Sequence, residues 1–172
     1  MRQEIIDAPD TYSTTEDIVN THVISQRMQF GLATSNFLFI GAGLTTVVMV
    51  IGWGFLPKYT QILAAALSLI PLVVGSGLYP VFHRQQKSET GAMVMSYGLL
   101  LSIAILPLLL PSALAGAVIG YFLLFTLSNA IQGIERSLLL TIIAIPFFIA
   151  DIVLTILWTP DLFNEQLPEW AE

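Results

Sequence analysis

The chain contains no cysteine. Disulfides, thiolate zinc sites and cysteine-ligated clusters are therefore excluded, while the compartment is left open. Charge is scarce too. It makes up 10% of the 172 residues, against about a quarter in an ordinary soluble domain. The scarcity is concentrated in one region. From Phe30 to Trp158 the charged side chains are Lys58, Arg84, Lys87, Glu89, Glu135, Arg136 and Asp151. All but Asp151 fall in three short gaps between apolar runs. Also missing are HExxH, GxSxG, a P-loop and any pairing of intramembrane carboxylates with histidines. Intramembrane proteolysis, phosphotransfer and nucleotide-driven pumping have no residues to carry them, so the chain is expected not to be an enzyme. No basic cluster is present to neutralise phosphates, so nucleic acid is not an expected partner. No internal repeat is visible, so an inverted-repeat transporter is not suggested.

What is present is apolar: 55% of the residues are hydrophobic. The expected fold class is all-α, a polytopic transmembrane helix bundle in contact with the lipid bilayer. A helix crosses the hydrocarbon core in about 20 residues. Five segments reach that length, at about 30–55, 60–82, 91–110, 112–131 and 137–158. The division between the third and fourth rests on Pro107 and Pro111, which break the helix, and on Ser112 as an N-cap. A tight hairpin of two spans is preferred there over a re-entrant pair.

Two acidic tails flank the bundle. Residues 1–29 carry a net charge of −3 and residues 159–172 carry −4, while the middle carries +1. The first 29 residues do not read as a cleavable signal peptide, so the first span is expected to act as its own insertion signal. Ser13-Thr14-Thr15-Glu16 fits a capping box, which predicts a short helix over about 14–28 that lies at the interface or runs into the first span. In the C-terminal tail, Phe163, Leu167 and Trp170 alternate with acids. That pattern suits an interfacial anchor, or else a docking peptide for a neighbouring subunit.

Orientation follows from Lys and Arg in short loops. With five spans, Arg27, Arg84, Lys87 and Arg136 share one side and Lys58 lies on the other. The N-terminus is then expected in the cytoplasm and the C-terminus outside. Trp53, Tyr59, Tyr79 and Trp158 fall near span ends, as an aromatic belt should.

Few residues are candidates for chemistry. Asp151 lies inside the fifth span, where a carboxylate costs about 2.5–3.5 kcal/mol even on a lenient insertion scale. It must face the bundle interior, carry a proton or meet a donor such as Ser, Thr, Tyr or Asn. Its functional reading is a proton or cation site; its structural reading is a hydrogen-bonded acid that fixes helix packing. His83 ends the second span and His22 lies in the N-terminal tail. Neither sits within a span, so a bis-histidine haem is not expected. His83 could serve as a single axial ligand to a chlorophyll magnesium, though nothing demands it and no cofactor or metal is assigned. Gly116 and Gly120 form a GxxxG motif in the fourth span, read as close helix packing within the chain or between subunits.

The reading that follows is a non-catalytic integral membrane subunit or module of a larger assembly, partnered by other membrane subunits or by itself. A small proton- or cation-coupled transporter using Asp151 is the rival reading. The membrane sensor region of a signalling protein is the third.

Overall fold

The computed structural model describes residues 11–56, 59–110 and 113–157, with side chains from residue 18 onward apart from residue 156. Ser112, Trp158 and the segment with Phe163, Leu167 and Trp170 lie outside the described residues. So do the side chains of the Ser13–Glu16 segment. Five helices follow one another: α1 Thr11–Phe55, α2 Thr60–Arg84, α3 Ser88–Leu109, α4 Leu114–Gln132 and α5 Ile134–Leu157. All five are long and apolar enough to cross a membrane.

α1 is the departure from expectation. It runs unbroken for 45 residues, about 68 Å at 1.5 Å per residue. The short helix expected over 14–28 and the first span are one helix, and Ser13 already lies inside it rather than at its cap. No proline or glycine occurs between Thr11 and Phe30 to interrupt the backbone ladder.

α3 is the hub of the bundle, touched by α1, α2, α4 and α5. Half of its most apolar stretch is buried. Its tightest neighbour is α2. A Cβ added at Gly75 would stand 2.9 Å from the Val94 carbonyl oxygen and 3.2 Å from the Gly98 Cα. One added at Gly98 would collide with the Pro71 carbonyl oxygen. Two glycines thus let the backbones touch. The same contact gives the backbone beside a helix proline a partner. Pro71 has no N–H to donate and crowds the preceding turn. Beside it, the Leu72 N–H donates to Ser102 Oγ across the interface (2.9 Å), and Ser76 Oγ donates to the Leu72 carbonyl (2.6 Å).

The connections are short. α2 ends in a Schellman turn: Lys87 N–H donates to the Phe82 carbonyl (2.9 Å) and Gln86 N–H to the His83 carbonyl (3.1 Å). Gln86 occupies the left-handed region at φ 59°. α4 ends at Gly133, φ 85°, and α5 begins at the next residue. α3 and α4 are separate helices of 22 and 19 residues, about 33 and 28 Å long, enough for two crossings.

Tyr79 leaves the aromatic belt to which its position near a span end assigned it. It is 1% exposed, with Ala92, Met95 and Ile131 packed around it, and its hydroxyl reaches toward the Met28 carbonyl (3.5 Å). Its ring edge lies against Gly31, where any Cβ would strike the phenol oxygen. This contact fixes α1 against α2.

Candidate functional site

Asp151 is 2% exposed, on the face of α5 that turns toward α4. Its partner is Tyr121, whose hydroxyl donates to Asp151 Oδ2 at 2.7 Å. Asp151 is buried and Tyr121 half-buried, so the carboxylate end of the bond is shielded by protein. Pro146 lies five residues before Asp151 in the same helix. Phe148 meets the Tyr121 ring edge to face, with centroids 5.3 Å apart. Tyr121 and Phe148 also wall a cavity of about 130 Å³ between α4 and α5, completed by Leu124, Phe125, Leu140 and Ala144. Its lining is almost wholly apolar. One carboxylate, one phenol and an apolar recess make an acceptor–donor pair. The pair can lock two helices together, or exchange a proton if water reaches it.

The glycines of the GxxxG motif part company. A Cβ at Gly120 would approach Ile103 Cγ1 at 2.9 Å, so Gly120 makes a close contact with α3. Gly116, one turn away, has no atom within 4 Å of that position and is exposed. Within the chain, the motif contributes one packing residue.

His83 is engaged locally. Its Nδ1 pairs with Ser88 Oγ at 2.9 Å across the α2–α3 turn, and its ring stacks on Tyr79 with centroids 6.3 Å apart and planes within 8°. His22 pairs with Gln26 on the exposed face of α1. The two histidines do not converge. Among the described residues no three His, Asp or Glu side chains gather as metal ligands would.

A second polar cluster, not singled out from the sequence, lies at the end of the bundle where α2 gives way to α3 and α4 to α5. Arg136 of α5 makes an ion pair with Glu89 of α3 at 2.7 Å. Gln132 of α4 donates from Nε2 to the Ala92 carbonyl (3.0 Å) and to Ser96 Oγ (2.7 Å). Arg27 of α1 completes the ring, and together they border a cavity of about 100 Å³. The available signal was the grouping of Arg27, Arg84, Lys87 and Arg136 on one side. That grouping served to orient the chain and was not read as a site.

Asp151 and this cluster sit toward opposite ends of α5, 15 residues apart, or about 22 Å along the helix. Comparison with known protein families, with curated proteins and with solved structures finds no match for this chain.

Proposed function

We propose that the protein is a five-span integral membrane protein, its N-terminus cytoplasmic, which acts as a non-catalytic subunit or module of a larger membrane assembly. The observation that carries this reading is the state of α1. None of the residues in its most apolar stretch is buried within the bundle. Gly41 and Gly52, eleven residues apart and so on one flank of the helix, have no atom within 4 Å of a Cβ position, and neither have Gly43 and Gly54 on another flank, so the helix is shallow along both. Phe37, Ile40, Leu44, Val48 and Ile51 are exposed on the same helix. Lipid can cover such a surface, but glycines on an apolar helix also allow another helix to approach closely.

The test is purification of the full chain in a mild detergent with identification of everything that co-migrates. Partner subunits or further copies in fixed ratio are expected, and Gly41→Leu together with Gly52→Leu, on one flank of α1, should release them without lowering the thermal stability of the chain itself. A monodisperse single chain at every detergent condition would refute the reading.

A second reading is favoured by the Tyr121–Asp151 pair beside its cavity: a small proton- or cation-coupled carrier. It predicts that the reconstituted protein moves a cation down a gradient and that Asp151→Asn, correctly folded, does not. Equal fluxes in empty vesicles and in vesicles holding the wild type would dismiss it.

A further inference from the structure

We infer that the cavity bordered by Arg27, Arg136 and Gln132 is a binding site for a phosphate oxyanion, of the kind an anionic lipid headgroup carries. Two arginines line it from different helices, Arg27 from α1 and Arg136 from α5. Guanidinium forks match phosphate oxygens in pairs, which single ammonium charges do not. Their situations differ. Arg136 pairs with Glu89, which also lines the cavity and cancels one of the two positive charges. Arg27 has no ion pair or hydrogen bond among the described residues. The unspent charge of the site is therefore Arg27's.

The backbone makes room for it. Gly133 links α4 to α5 at φ 85°, and Arg27 Nη1 lies 2.8 Å from where a Cβ would stand. Any other residue would push the guanidinium away from the turn and would strain at that φ. The remaining wall is fixed by hydrogen bonds already made: Gln132 to Ala92 and Ser96, and Ser88 to His83. The amide nitrogen of Gln132 is used, and its Oε1 makes no hydrogen bond among the described residues. Arg84 and Lys87 stand exposed at the same end of the bundle, but they do not line the cavity. They give general attraction for anions and serve as the natural control. The site stands apart from the α1 face proposed for assembly, so either reading can fail without the other.

The experiment titrates the detergent-solubilised full chain with phosphatidylglycerol, phosphatidylcholine and inorganic phosphate, following bound ligand by native mass spectrometry and stabilisation by thermal unfolding. Loss of any one surface arginine weakens attraction to an anionic lipid about fivefold. Arg84→Gln measures that background. Arg27→Gln and Arg136→Gln are expected to lose on the order of tenfold beyond it for phosphatidylglycerol. Arg27→Lys should recover part of the loss, and ligand-free thermal unfolding of Arg27→Gln at the wild-type temperature shows that the glutamine variant is folded. Phosphatidylcholine should bind weakly to all of them. If inorganic phosphate competes at millimolar concentration, the oxyanion comes from solution. If it does not, the source is the bilayer. Either result supports the site. Equal losses in Arg27→Gln and Arg84→Gln, or no preference for the anionic lipid over phosphatidylcholine, would overturn it.

Discussion

Asp151 and Tyr121 each solve the other's problem. A buried carboxylate needs donors, a buried phenol needs an acceptor, and at 2.7 Å each supplies what the other lacks. Tyr121→Phe leaves the Asp151 oxygen without that donor and is expected to destabilise the protein by about 1–2 kcal/mol. Asp151→Asn keeps an oxygen for the same hydroxyl and should unfold within about 1 kcal/mol of the wild type. Asp151→Leu and Tyr121→Phe combined should cost less than the sum of the single changes, since they remove one shared bond. Denaturant titration of the four proteins checks this, and strict additivity would show that the bond contributes nothing. Glycines are equally unequal. Gly98→Ala places a methyl against the Pro71 carbonyl oxygen and should cost about 1–3 kcal/mol by forcing α2 and α3 apart. Gly116→Ala meets open space and should be neutral or stabilising by up to about 1 kcal/mol through helix propensity. Thermal unfolding of the two variants in one detergent is the comparison. If Gly98→Ala melts no lower than Gly116→Ala, the α2–α3 contact is not tight.

Among the elements, the α2–α3 hairpin is the best specified. Its Schellman turn demands a left-handed residue, and Gln86 fills that place at φ 59° without being glycine. Gln86→Gly is expected to stabilise the hairpin by about 0.5–1 kcal/mol, read as a rise in melting temperature. A fall would mean that the Gln86 side chain makes a contact worth more than its backbone strain. The hairpin also marks the limit of what the sequence discloses. Each long apolar helix was legible because apolar length is a one-dimensional property, and the helix ends fell within a few residues of expectation except at the start of α1, which runs back to Thr11. The contact between Gly75 and Gly98 was not, because the two lie in different helices and nothing in their spacing ties one to the other. Gly116 and Gly120 share a spacing that places them on one face, yet only packing decides what that face meets. Asp151 was conspicuous as a lone charge in an apolar run. Its partner was foreseeable as a type of residue, and the fold alone selects Tyr121 among the donors. The arginine-lined cavity stayed hidden because it draws on all five helices, from Ile24 in α1 to Arg136 in α5.

At the scale of the whole molecule, the alternation of five helices predicts where water-soluble reagents reach. A cysteine introduced at Gln85, exposed at the end of α2, should be modified from the cytoplasmic side. One at Thr60, exposed at the other end of the same helix, should be modified from the opposite side. Labelling of both from a single side would exclude α2 as a span and with it the proposed topology. α1 has a mechanical consequence of its own. A loop between a membrane span and its polar extension would let the two parts turn independently. A continuous helix from Thr11 to Phe55 instead makes them one rod, stiff to twisting as well as to bending. Inserting one residue near Thr21 would therefore swing everything on its N-terminal side by about 100° about the helix axis, and inserting seven would nearly restore the original heading. The angular bearing of the N-terminal segment is thus set by the packing of Gly31 on Tyr79, and a rotation of α1 there would be carried along the rod.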